Sequence, residues 1–298
     1  MATLYTQQSK NVTRTWLLMA VFLAVIVAVG YVFAQAYQSP GILYFAIIFS
    51  TFMNVLSYWY SDKIVLSMYR AHAVTNESHP DLYNIVENLS ITAGLPMPKV
   101  YVIPDAAPNA FATGRNKEHA AVAVTSGLLQ ILNRSELEGV IGHELSHIGN
   151  RDTLLSTVVI VLVGFISLIS NIFLRSAMWG GMRRSNDREG NAGAIFMVIG
   201  IVLAIFSPIA VTLIQLAISR RREYLADASG ALLTRYPEGL ASALEKISQN
   251  SQPMARANEA TAHLFIANPF GGVKNRVAGL FATHPPASER IKILRGME

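Results

Sequence analysis

The chain contains no cysteine and carries little charge. With none of its 298 residues a cysteine, it has no disulfide framework. That absence fits a reducing compartment without requiring one. Only 14% of residues are Asp, Glu, Lys or Arg, where about 25% is usual for a soluble domain. Together with a mean hydropathy of +0.36, this argues against an ordinary soluble protein. The net charge is +5 and the pI about 9.5, but no basic run interleaved with aromatics suggests a nucleic-acid partner. Lys and Arg instead cluster beside apolar segments, a placement that suits an anionic membrane surface. No repeat or low-complexity tract interrupts the chain.

What the sequence does have is long uncharged stretches. From Thr15 to Ser61 there is no charged residue, and Pro40-Gly41 marks a turn within that run. Each half, Trp16 to Ala34 and Ile42 to Tyr60, approaches the roughly 20 residues a helix needs to cross hydrocarbon. Thr153 to Leu174 is a third such run, and Gly190 to Ser219 a fourth, with Pro208 as an expected kink. Trp16, Tyr58, Trp59 and Tyr60 stand at span ends, where an aromatic belt would place them. The sequence thus predicts an α-helical integral membrane protein with four transmembrane helices in two hairpins. Lys10 and Arg14 precede an apolar run that ends near "AQA", but the run is longer than a signal-peptide core and a second span follows, so cleavage is not expected.

Basic residues orient the spans. Lys10, Arg14, Lys63, Arg70, Arg151 and Arg220–Arg222 all flank span ends that two hairpins bring to one side, the cytoplasmic side. Against this stands the loop between spans three and four, which carries Arg175, Arg183, Arg184 and Arg188 to the opposite side. Residues 1–61 and 152–219 form the two hairpins, and residues 62–151 and 220–298 are expected to fold together as one cytoplasmic domain. Asn11 and Asn76 head Asn-x-Ser/Thr triplets that would face the cytoplasm and remain unglycosylated.

The chemistry concentrates in "NRSELEGVIGHELSHIGN", residues 133–150. Ser135 followed by Glu138 reads as a capping box opening a helix, and Gly149-Asn150 weakens or bends its end. On that helix His143 and His147 lie one turn apart on one face and can share an ion. Glu144, rotated by about 100° from His143, reaches the edge of the coordination sphere, where a general base belongs. A hairpin made of spans three and four returns the chain to its starting point. The segment "SRRREYLADASG" at 219–230 should therefore neighbour the histidine helix, with Glu223 in reach as a third ligand. Asp227 shares its face at i,i+4. Such a pair suits one ligand and one carboxylate that orients a metal-bound imidazole.

Four motifs now stand in order: "NAFATGRN" (109–116), "HELSH" (143–147), "RREYLAD" (221–227) and "THPP" (283–286). In these motifs and in both hydrophobic hairpins the chain resembles, nearly end to end, the HtpX family of membrane-integrated zinc metalloproteases, relatives of the enzymes that trim CAAX proteins. The resemblance implies a mainly α, zincin-like catalytic domain with a small β-sheet and one Zn2+ held by His143, His147 and Glu223. It makes Glu144 the catalytic base and Asp227 a supporting residue. It brings His284 toward the site as a hydrogen-bond donor to the oxyanion. It also places Asn109, Ala110 and Phe111 on a strand edge where a peptide adds by main-chain pairing. "KVYVIPDAAPNAF", "NAFATG" and "AAVAVTSGLL" have the β-prone character of that sheet. The implied setting is the bacterial inner membrane, with the active site facing the cytoplasm and misfolded or damaged membrane proteins as substrates under stress.

His72, His79, His119 and His263 have no partner at metal-binding spacing and read as solvated or locally satisfied, and residues 286–298 read as an amphipathic packing helix. Two other classes share part of the pattern. A transporter or scaffold with a structural zinc would have no need of Glu144, and the apolar runs hold no Asp, Glu, Lys, Arg or His to mark an ion path. A membrane-anchored aminopeptidase or esterase would share the metal but release different products.

Overall fold

The computed structural model of the chain describes residues 4–36, 38–180, 219–258, 260–271 and 285–297. Two helices, α1 (Leu4–Ala36) and α2 (Pro40–Met68), form the N-terminal hairpin. Among the described residues these two are long and apolar enough to cross a membrane, as Ser9–Gln35 and Pro40–Met68. Ser39 and Pro40 set the turn, proline sitting in the first turn of α2 where its missing N–H is not needed. Trp16 of α1 stacks on Tyr58 of α2 with centroids 5.5 Å apart, so the aromatic residues expected at one membrane face do meet there. Asn54, inside α2, donates to the Met19 carbonyl of α1 at 3.0 Å, giving a polar group in an apolar helix a partner.

The third apolar run lies within α6 (Asp152–Gly180). Leu155, Val158, Val159 and Leu162 of α6 bury against Leu18, Phe22 and Met53 of the hairpin. The fourth, 190–219, lies outside the described residues except for Ser219, as do Arg183, Arg184 and Arg188 of the loop before it.

Between α2 and α6 the chain builds α3 (Pro80–Ala93), a sheet, α4 (Ser126–Ile131) and α5 (Arg134–Gly149). The sheet order is β1-β2-β4-β3, from β1 (His72–Ala73), β2 (Lys99–Ile103), β3 (Ala110–Gly114) and β4 (Ala120–Thr125). β2 and β4 run parallel; β3 pairs antiparallel with β4 and forms an edge. The three expected strands are all present. Every residue of β3 and β4 is buried, because α5 and α6 pack over β3 and leave no polar-out face.

After the second apolar segment come α7 (Arg220–Thr234), α8 (Pro237–Gln249) and α9 (Ala287–Arg295). Leu137, Val140, Ile141 and Leu145 of α5 share one core with Ala231, Leu240, Leu244 and Leu294. Sequence from 82–148 and from 231–294 therefore contributes to a single hydrophobic core.

Helix α5 begins two residues earlier than the Ser135/Glu138 reading. Asn133 is the cap: its side chain accepts from Glu136 N–H at 3.0 Å, and the Glu136 carboxylate accepts from Asn133 N–H at 2.8 Å. Both Asn-x-x-Glu and Ser-x-x-Glu frames exist here, and asparagine caps at least as well as serine. At the other end, Arg151 adopts a left-handed φ of 57° and α6 leaves α5 at 81°. The expected weakening at Gly149-Asn150 is thus a sharp corner.

Candidate metal centre

Helix α5 presents His143 and His147 on one face, as the i,i+4 spacing requires, with their Nε2 atoms 3.1 Å apart. Helix α7 crosses α5 closely enough to bring Glu223 to both. Its two carboxylate oxygens lie 3.8 Å from His143 Nε2 and 3.6 Å from His147 Nε2. The close crossing depends on glycine: a Cβ built at Gly230 of α7 would stand 2.8 Å from the backbone nitrogen of His143. Gly230 lies three residues beyond Asp227 and seven beyond Glu223, so the contact and both carboxylates share a face of α7.

Each imidazole is fixed from behind by a carboxylate with its own cationic partner. Asp227 Oδ1 is 2.9 Å from His143 Nδ1, and Asp227 is gripped from the other side by Arg290 of α9. The Arg290 Nε and terminal nitrogen donate to its two oxygens at 2.8 and 2.6 Å. Asp152, first residue of α6, lies 3.0 Å from His147 Nδ1, with Arg222 Nε 3.7 Å from its other oxygen. With Nδ1–H of each ring donated to a carboxylate, both Nε2 lone pairs face the space shared with Glu223. Two lone pairs at 3.1 Å beside a carboxylate are mutually repulsive unless a cation or a proton sits among them.

The donor set fits zinc. Tetrahedral zinc with nitrogen and oxygen ligands at about 2.0–2.1 Å spaces its ligand atoms about 3.3 Å apart. The three separations here, 3.1, 3.6 and 3.8 Å, bracket that value. His143, His147 and Glu223 are a group able to hold a metal ion, their ligand atoms all within 4.8 Å of one another.

The protonation pattern follows from burial and neighbours. Burial lowers the pKa of His143, with the Asp227 hydrogen bond opposing it. Burial also pulls His147 down, but the Asp152 hydrogen bond and the charges of Glu223, Asp152 and Glu144 outweigh it and carry the group up to about 9. Desolvation would raise Asp227, yet Arg290 and His143 hold it at about 2. Glu144 lies beside the ligand group, fully buried, and desolvation pushes it up to about 7, only partly offset by His147. A carboxyl with that pKa exchanges protons near neutrality, as an acid–base catalyst must.

The cavity at this centre is small, about 30 Å³, and is lined by the two histidines, Glu144, Glu223, Ala112 of β3 and His263 among others. That volume admits an ion and about one or two waters. Asn109, Ala110 and Phe111, the three residues before Ala112, are buried but do not line it. Asn109 pairs its carboxamide with the backbone of Ala267, at 3.0 and 3.2 Å. The Ala110 carbonyl accepts from Ile266 N–H at 3.0 Å. Phe111 packs between Tyr69 and Phe265. On the β3 edge it is Ala112 whose main chain hydrogen-bonds Glu144. His284 lies outside the described residues.

Sequence reading assigned no site role to Asp152, Arg222, Arg290, Asn11 or His263. Arg290 looked like a charge on an amphipathic helix, yet it is among the most buried side chains. Its signal was weak but present: Arg290 shares a helix face with apolar Leu294 at i,i+4, and these two are the buried residues of α9.

Comparisons with known proteins place the chain in a family. The profile of "Peptidase family M48" matches residues 76–298. A "Protease HtpX homolog" of Caldanaerobacter subterraneus subsp. tengcongensis is 50% identical over 298 residues, covering 99% of this chain and 98% of its own. Another, of Pyrococcus furiosus, is 51% identical over 284 residues, covering 95% and 94%. Among solved structures, S. mikatae Ste24p is similar in fold, with a TM-score of 0.51 at 18% identity, over 95% of this chain and 67% of that one. The chain is thus a membrane metalloendopeptidase that belongs to peptidase family M48, alongside the HtpX proteases.

Proposed function

We propose that the protein is a zinc-dependent endopeptidase of the bacterial inner membrane, with its active site at the cytoplasmic face, that removes misfolded or damaged membrane proteins. The observation that carries this reading is the convergence of His143, His147 and Glu223 on one point, with Glu144 buried at its side. His143, His147 and Glu223 would hold the zinc, which when bound acts as a Lewis acid on the scissile carbonyl. Glu144 takes a proton from the attacking water on its carboxylate and passes it to the leaving amine. Asp227 and Asp152 keep the two imidazoles in the tautomer that points Nε2 inward. A peptide would add to the β3 edge near Ala112, beyond the stretch that pairs with Ile266, and His284 would donate to the oxyanion.

The four-span topology and the cytoplasmic orientation are part of the same proposal. Supporting them are the paired aromatic residues at one end of the α1–α2 hairpin and the basic residues at that end. The core shared by residues from 62–151 and 220–298 supports a single catalytic domain split by the second hairpin. Cleavage of casein by purified protein, with and without chelator, tests the reading. Glu144→Gln is expected to bind one zinc per chain yet lose cleavage by at least about 100-fold. Parental cleavage rates in that variant, or full activity in chelator, would overturn it.

A further inference from the structure

Asn11 belongs to α1, the first apolar helix, just inside the candidate span Ser9–Gln35. It is 1% exposed, and its carboxamide makes three contacts, none of them to lipid-facing groups. Its Nδ2 donates to Asp152 Oδ1 at 2.7 Å and to the Asn150 carbonyl at 3.1 Å. Its Oδ1 accepts from Arg222 at 3.4 Å. Both amide protons and the carbonyl are therefore used. Asp152 is the carboxylate whose second oxygen meets His147 Nδ1. One side chain of α1 thus ties together the end of the histidine helix, the start of α6 and the arginine next to Glu223, across 139 to 211 residues of sequence.

We infer that Asn11 is a positioning residue of the metal site: the first membrane helix holds Asp152, and through it His147, in the orientation that binds zinc. The inference rests on the zinc reading above. A carboxylate with two oxygens can rotate about its Cβ–Cγ bond and offer either one. Asn11 and Arg222 occupy Oδ1 and leave Oδ2 for the imidazole. Without the Asn11 donor, Asp152 is free to turn toward Arg222, and His147 loses the partner that fixes its tautomer. Partners of this kind alter metal affinity by about 10–100-fold when removed. Because Asn11 lies within the first turns of the candidate span, the metal site is held level with the end of that span rather than on a free-standing domain.

The test compares zinc affinity, by competition with a chromogenic chelator, in detergent-purified full-length parent, Asn11→Ala, Asn11→Asp and Asn54→Ala, alongside Tm and the kcat and KM for casein. Asn54→Ala is the control: it breaks a hydrogen bond that ties α1 to α2, to Met19, which does not line the cavity. Asn11→Asp keeps the shape but replaces the donor with an oxygen facing Asp152, and it carries the test if the alanine variant does not assemble. Both Asn11 variants are expected to bind zinc about tenfold or more weakly and to lose kcat with KM changed little, while Asn54→Ala lowers Tm and leaves zinc affinity within about twofold of parent. Parental zinc affinity in the Asn11 variants, or an equal loss in Asn54→Ala, overturns the inference. A parent that binds no zinc overturns the underlying zinc reading as well.

Discussion

At the scale of the residue, the centre consists of two imidazoles each held by a carboxylate, each carboxylate held by an arginine. Asp227 and Arg290 are both almost fully buried, so neither charge can be left alone. Arg290→Met is expected to destabilise the protein by about 3–5 kcal/mol, since it strands a buried carboxylate, and a chemical denaturation series would measure it. Asp227→Asn keeps the volume and should weaken zinc about 10–100-fold. A loss of stability without a loss of zinc affinity would show that Asp227 serves packing alone. The HELSH spacing made the two imidazoles legible, because helix periodicity alone puts residues four apart on one face. Asp152 was not legible. On a continued helix it would point about 140° away from His147, and only the corner at Arg151 turns it back. Arg290 and Asn11 were hidden for another reason, since no local pattern reports a contact across 63 or 141 residues.

At the scale of the element, the decisive contact is the crossing of α5 and α7. Gly142 and Gly230 let the helix backbones approach, with Gly142 facing the Gly230 carbonyl. Gly230→Val has no room beside the backbone of His143, so α7 must move and carry Glu223 away from the histidines. Overpacking of this kind costs about 1–3 kcal/mol. The variant is expected to show both that loss, by thermal unfolding, and a drop in zinc content, by metal analysis. A stable variant with full zinc would mean that the crossing does not set the ligand distance. The β-strands were readable in place but not in length: "KVYVIPDAAPNAF" and "AAVAVTSGLL" are β-prone at their starts, but the strands stop at Ile103, before Pro104, and at Thr125, which caps α4. The start of α5 was readable only to within one frame, since two capping patterns lie two residues apart. The role of Gly230 was invisible: a glycine inside a helix reads as a weak point until its neighbour is known.

At the scale of the molecule, the α1–α2 hairpin and the helices of the metal centre form one structure, joined through α6 and Asn11. The composition made the apolar helices α1 and α2 plain, and Glu223, expected near the histidine helix, stands beside both histidines. The polar link from α1 into the site was not legible, because an uncharged asparagine at a helix start carries no signal of its own. The whole-site charge balance has a pH consequence. In metal-free protein His147 is raised to about 9, so it contributes stability fully below its ordinary value near 6.5 and loses it as pH rises through 9. Zinc needs the neutral ring and must displace that proton. Apparent zinc affinity is therefore expected to fall by up to about tenfold per unit of pH below 9 from this group alone. Chelator competition between pH 6 and 9 would measure it, and a flat profile would contradict the assignment.

The most direct measurement is zinc K-edge absorption of the metal-loaded protein beside its Glu223→Ala variant. The account expects one zinc per chain, two imidazole nitrogens and oxygen donors at about 2.0–2.1 Å, with the variant losing most of its zinc. An absorption spectrum without imidazole scattering, or a variant that keeps zinc at parental affinity, would contradict it.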